Sequence, residues 1–94
     1  MATFIMAMTI NPTARKDHTD LAHQITTSLD SFSSDDIKDI RLFATLGRYD
    51  CLAVFEATNQ TAAFKVASTI MARGVLETET WPVIDFDDFI SLLR

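Results

Sequence analysis

Leu46-Gly47-Arg48-Tyr49-Asp50-Cys51-Leu52-Ala53-Val54-Phe55 is the stretch on which the fold turns. Its first half suits a tight turn and its second half a strand. Gly47-Arg48 fits a two-residue hairpin connection with glycine at the first central position, as type II′ turns prefer. Cys51 to Phe55 is continuously apolar, the pattern of a strand covered on both faces. Upstream, Ile37 to Leu46 carries Ile40, Leu42, Ala44 and Leu46 in alternation with Asp39, Arg41, Phe43 and Thr45. Strands joined by that turn pair Leu46 with Tyr49, Thr45 with Asp50, Phe43 with Leu52 and Arg41 with Val54. Register sorts side chains by face. Ile40, Leu42, Ala44, Leu46, Tyr49, Cys51, Ala53 and Phe55 make an apolar face, assigned to the helices. Asp39, Arg41, Phe43, Thr45, Asp50, Leu52, Val54 and Glu56 make a mixed face, left for a partner subunit or a cavity between subunits.

Downstream, Thr58 or Asn59 is positioned to cap a helix running to about Arg73. Ala63, Val66, Ala67, Ile70 and Met71 are its expected buried stripe. Gly74 is a suitable residue just past the helix end, because glycine enters the left-handed region cheaply. Val75 to Trp81 then alternates as an edge strand with one polar face, and Pro82 is expected to end it. Asp85 to Leu93 reads as a short helix with Phe86, Phe89, Ile90 and Leu93 on its contact side. Upstream of the hairpin, Thr3 to Ile10 is an apolar strand ended by Asn11-Pro12. Asp17 caps a helix that runs to about Ser31, with Leu21, Ile25, Leu29 and Phe32 on one face.

The element order is therefore β-α-β-β-α-β plus a tail helix. This is the ferredoxin-like α+β order, a four-stranded antiparallel sheet whose first and third strands are central. Those are also the two most apolar strands. Two helices cover only one face of such a sheet, so strands apolar on both faces imply a second covering layer. A homodimer or higher homo-oligomer with sheets packed face to face supplies it.

Composition agrees. The chain has 94 residues, enough for one domain, and 48% are hydrophobic. A domain this small cannot hide that much apolar surface alone. The net charge of −5 argues against nucleic acid and against an anionic membrane surface. No apolar run reaches the ~18 residues needed to span a bilayer, and the start lacks the basic region and cleavage site of a signal peptide. A single cysteine permits no intramolecular disulfide. A cytoplasmic location is expected.

Three blocks in order, Leu46-Gly47-Arg48-Tyr49-Asp50, Val54-Phe55-Glu56-Ala57 and Gly74-Val75-Leu76-Glu77-Thr78-Glu79-Thr80, resemble the GYD family. That family is named for a Gly-x-Tyr-Asp or Gly-Tyr-Asp segment and is similar to the dimeric α+β barrel proteins. The resemblance implies a dimeric α+β barrel built from ferredoxin-like domains. It does not imply one reaction, because such barrels include monooxygenases, haem-handling enzymes, isomerases and proteins with no known activity. The N-terminal half departs from the family pattern. Thr9-Ile10-Asn11-Pro12-Thr13 lacks the expected glycine, and Thr58-Asn59-Gln60 replaces an acidic turn.

Candidate chemistry is confined to a few side chains. At ~100° per residue, His18 shares a face with Leu21, Ile25 and Phe32, while His23 points to solvent. His18 is either an acid–base group or haem or metal ligand at the mouth of a helix–sheet cavity, or a helix-end histidine packed on a loop. Tyr49 and Arg48 are either the phenol and guanidinium of a ligand entrance, or a packed tyrosine and a solvated arginine. Arg41 sits diagonal to Glu56, and Asp50 opposite Thr45. They form either a polar pocket with Asp50 or Glu56 as base or ligand holder, or an interface network that fixes register. Trp81 either stacks on a ligand or anchors the C-terminal segment. Cys51 reads as an inert core thiol, and Met6, Met8 and Met71 as core fillers.

The catalytic candidates are thus His18, Tyr49 and Asp50, and the ligand-binding candidates Arg41, Arg48, Glu56 and Trp81. No metal site or cofactor is assigned. No phosphate loop, zinc pattern, nucleophile elbow or dinucleotide fingerprint is present. Two functions remain: a small oligomeric barrel protein that binds an apolar or aromatic small molecule, in the manner of a cofactor-free monooxygenase or isomerase, or a non-catalytic accessory subunit that docks on a larger partner.

Overall fold

A computed structural model of the chain describes residues 1–13 and 20–94. Its strands are β1 (Ala2–Ile10), β2 (Ile37–Ala44), β3 (Cys51–Ala57) and β4 (Leu76–Val83). Its helices are α1 (Leu21–Leu29), continued by a 3-10 turn at Asp30–Phe32, α2 (Gln60–Ala72) and α3 (Phe86–Leu92). The strands form one antiparallel sheet in the order β2-β3-β1-β4. This is the expected ferredoxin-like arrangement, with β1 and β3 at the centre. The cap expected at Asp17 lies outside the described residues.

Alternation along β1 and β3 decides where the core sits. Phe4, Met6 and Met8 point to the helix side, level with Phe55, Ala53 and Cys51. Ala63, Val66, Ala67 and Ile70 of α2 close over them. Phe55 is fully buried. It stacks on Phe4 at 5.8 Å between ring centroids and meets Phe32 edge-on at 5.1 Å. The α2 boundaries follow local chemistry. The Asn59 side chain accepts a bond from the Ala62 N–H at 2.9 Å, and Gly74 takes a φ of 76° just past the C-terminus.

Five local expectations are corrected. The β2–β3 connection is wider than a two-residue turn. The innermost rung runs from the Thr45 N–H to the Asp50 carbonyl at 3.0 Å, and Leu46 to Arg48 form bends. Gly47 keeps a positive φ of 141°, so glycine is required there for a different geometry.

The register Phe43–Leu52 and Arg41–Val54 holds, but a bulge then shifts it to Lys38–Glu56. Asp39 sits at the bulge with a φ of 54°, a left-handed conformation that Asp tolerates better than most residues. Pro82 lies inside β4 rather than ending it, an arrangement an edge strand permits because no outer neighbour needs its N–H. Met71 is 47% exposed, at the lip of a groove instead of in the core. Finally, α3 buries none of its residues. Phe86, Phe89, Leu92 and Leu93 all face solvent, so the expected contact side touches no core of its own chain.

Candidate functional site

The sheet has a second face, away from the helices. The strand registers arrange it in cross-strand rows, Arg41–Val54–Ile5–Trp81 and Phe43–Leu52–Ala7–Glu79. Arg41, Phe43, Glu79 and Trp81 are exposed on it, and Ile5, Leu52 and Val54 are half-buried. Sequence alternation had marked this mixed face for a partner or cavity.

A hydrogen-bonded corner stands at one end. The Tyr49 hydroxyl donates to Glu79 Oε2 at 2.6 Å, and Trp81 Nε1 donates to Glu79 Oε1 at 3.3 Å. The Tyr49 and Trp81 rings meet edge to face at 6.0 Å, and the Arg48 guanidinium lies 5.9 Å from the Tyr49 ring centre. Tyr49 was expected to point to the helices. Because β3 begins only at Cys51, Tyr49 is freed from strand alternation and crosses the open face to reach β4. Tyr49 and Ala7 border one small hollow, and Ala7 is only 1% exposed on an otherwise open surface.

The bond to Glu79 raises the pKa of Tyr49, and the donors Tyr49 and Trp81 lower that of Glu79. The phenol is thus held protonated and the carboxylate ionised. That pair is a poor proton-abstracting device and a good rigid binding surface. Sequence reasoning nominated Tyr49, Arg48 and Trp81 but missed Glu79. The signal was available, since Glu77, Glu79 and Trp81 alternate onto one face of the edge strand.

The other candidates are dispersed. Asp50 Oδ2 accepts from the Ile10 N–H at 2.8 Å, and the Asp50 N–H donates to the Met8 carbonyl at 2.9 Å. Its side chain thereby continues the β1–β3 ladder where the main chain of β3 stops. The Tyr49 carbonyl, left over, accepts from the Thr45 hydroxyl.

Arg41 and Glu56 do not form the expected diagonal pair. The bulge places Lys38 opposite Glu56, and a hydrogen bond to Asp39 raises the Glu56 pKa. Arg41 lies instead 5.3 Å from the centre of the Phe43 ring. The Cys51 thiol is half-buried, and burial, with the Asp50 charge beside it, pushes its pKa up, as suits an unreactive thiol. His18 lies outside the described residues.

An apolar cavity lies elsewhere, between α2 and β4 on the helix side. It measures about 220 Å³ and is bounded by Phe4, Ala63, Phe64, Ala67, Met71 and Pro82, with Gln60, Ser68, Thr78 and Thr80 as its polar groups. It exists because small residues of α2 face the sheet there. Their spacing predicts Ala63 and Ala67 as core stripe, and nothing in it distinguishes a filled contact from a gap. A larger hollow of about 580 Å³ between residues 31–36 and α2 is more polar, lined by Ser31, Ser33, Ser34, Asp35, Asp36 and Lys65 among others. Among the described residues, no group of three or more His, Cys, Asp and Glu side chains is placed to hold a metal ion. No described helix is long and apolar enough to cross a membrane.

Comparison with known proteins places this geometry. A solved crystal structure bearing the provisional name chlorite dismutase superposes with a TM-score of 0.60 at 16% identity, covering 100% of this chain and 49% of that one. The likeness is one of fold, and this chain spans about half the length of that protein. No curated protein sequence matches the chain. The sequence model of the GYD domain matches residues 4–93, nearly the whole length. The chain therefore belongs to the GYD family.

Proposed function

We propose that this protein is a self-associating small-molecule binder. It takes an apolar or aromatic ligand of about one ring in the groove between α2 and β4, and its open sheet face is closed by a further copy of the chain. One observation carries the ligand assignment: a preformed hollow of about 220 Å³ with Phe4, Ala63, Ala67, Met71 and Pro82 on its walls. An apolar cavity of about 150 Å³ is enough to hold benzene, and drug-sized ligands need about 300 Å³ or more. The ligand is therefore a single ring or a short acyl chain. Its polar end meets Gln60, Ser68 or Thr78.

None of the described lining residues carries a carboxylate, imidazole, amine or thiol. The groove is suited to binding, not to acid–base chemistry. Tyr49, Arg48 and Trp81 belong to the opposite face of the sheet and act there in association.

Methyl NMR with toluene as the probe tests the assignment. Toluene is expected to shift the Ala63, Ala67 and Met71 methyl signals at millimolar concentration. Ala67→Leu fills the hollow and is expected to weaken that binding by at least about ten-fold while circular dichroism is unchanged. Undisturbed signals in the wild type, or equal binding by the variant, would rule the groove out.

One feature favours a second function, that of an accessory subunit. The apolar residues of α3 are uncovered in the single chain and offer a docking helix to a larger protein.

A further inference from the structure

We infer that the ligand of the α2–β4 groove is a neutral phenol, a single ring whose hydroxyl is recognised by Thr80. This rests on the groove binding proposed above, and it names the ligand's class and the residue that selects it. Thr80 lies midway along the β4 wall. It pairs with Met6 of β1, which is fully buried on the helix side. Thr78 and Pro82 flank it two positions away on the same face of the strand. All three line the groove, with Ala63 and Ala67 of α2 as the small residues that leave it open.

The polar groups of the groove are not equivalent. Gln60 and Ser68 are exposed, so water serves them, and exchanging water for a ligand atom there changes little. Thr80 is half-buried, yet its hydroxyl oxygen is shut off from solvent and has no hydrogen-bond partner among the described residues. A buried hydroxyl without a partner is unfavourable, and a ligand atom that bonds it relieves that cost. The largest polar gain in the groove is therefore at Thr80. One staggered step about its Cα–Cβ bond, of a kind strands permit, exchanges the hydroxyl with the similarly sized methyl group. That step is how the oxygen reaches the ligand.

The walls define the rest of the ligand. Phe4 and Phe64 supply rings and Met71 a thioether, surfaces that favour an aromatic ring over an acyl chain. No described lining residue carries a cationic side chain, so a carboxylate would lose its hydration with nothing in exchange. A phenol stays protonated near pH 7, because its pKa is about 10. Its hydroxyl both donates and accepts, as does that of threonine, so the pair bonds in either sense. Such a contact separates phenol from toluene, which carries a methyl group of similar size in the same place. Gln60, Ser68 and Thr78 are left for a further polar substituent on the ring.

Methyl NMR titrations of the full chain with phenol, toluene and benzoate test the assignment, read at Ala63, Ala67 and Met71. Wild type is expected to bind phenol and toluene, and to bind benzoate at least about ten-fold more weakly than phenol. Water solvates phenol better than toluene, so the decisive quantity is the ratio of their affinities. Thr80→Val exchanges only the hydroxyl for a methyl group and suits a strand. It is expected to lower the phenol-to-toluene ratio at least about five-fold, with toluene bound no more weakly. Thr80→Ala, which also lacks the hydroxyl, is expected to lower the ratio too. Thr80→Ser, which keeps it, and Ser68→Ala at the exposed lip are expected to stay within about two-fold of wild type. Circular dichroism checks that each variant is folded. A ratio unchanged in Thr80→Val and Thr80→Ala, or benzoate bound as tightly as phenol, would overturn the phenol assignment and leave the groove standing on its toluene binding. A wild type that binds neither phenol nor toluene would overturn both.

Discussion

The two faces of the sheet are made from the same four strands and behave differently. On the helix side, Phe4, Met6, Met8, Ala53 and Phe55 are buried under α2 and the Phe32 turn, and one groove is left where alanines meet β4. On the other side, comparable apolar residues, Ile5, Leu52, Val54 and Phe43, remain in partial contact with water among charged neighbours. Burial on the first face holds the monomer together. The second, left half-exposed, contributes less.

The largest effect is expected where the comparison is sharpest. Phe55→Ala removes a fully buried ring that touches Phe4 and Phe32. It should cost about 3–5 kcal/mol, most of the stability of a domain this size, measured by urea denaturation. Val54→Ala, one position along on the other face, should leave monomer stability nearly unchanged and weaken self-association. Equal losses in the two variants would erase the distinction between the faces.

Smaller effects follow from polar joints. Asp50→Ala leaves the Ile10 N–H without its acceptor and should cost about 1–3 kcal/mol, with hydrogen exchange at Ile10 accelerated. Asn59→Ala removes the α2 cap and should cost about 1 kcal/mol.

The smallest is a pH effect at the Tyr49–Glu79–Trp81 corner. Because the folded-state pKa of Glu79 is lowered from its ordinary 4.5, the corner's contribution is intact above that value. It is lost as pH falls through the lower folded value. Trp81 emission should therefore change below the ordinary glutamate range, and the step should move upward in Tyr49→Phe, which removes the strongest donor. A step at the same pH in both proteins would show that the phenol does not hold the carboxylate.

Much of the fold was legible because period and punctuation agreed. Alternation around Phe55 marked the core face of β3 but not of β2, whose Ile40 and Leu42 are exposed instead of covered by the helices; Thr58 or Asn59 and Gly74 bounded α2, and the apolar runs of β1 and β3 marked the central strands. What the sequence concealed has specific causes. The bulge at Asp39 depends on one residue taking a left-handed conformation that its neighbours do not require, and it redirected Glu56 from Arg41 to Lys38 and Asp39. Tyr49 could not be aimed by alternation because it precedes the first residue of β3. Its partner Glu79 is 30 positions away, on a strand that does not adjoin β3. The groove depends on an empty volume beside Ala63 and Ala67, and residue type alone does not say which small side chains leave a gap.

The central claim is that the open face is an association surface and not a load on the folded monomer. Sedimentation velocity of wild type against Leu52→Arg, placed in the middle of that face, tests it most directly. The expected result is a wild-type dimer at about 10 µM and a folded Leu52→Arg monomer whose melting temperature is lower only by what the loss of the partner accounts for, a difference that shrinks on dilution. A monomeric wild type, or a variant that stays dimeric, would contradict it.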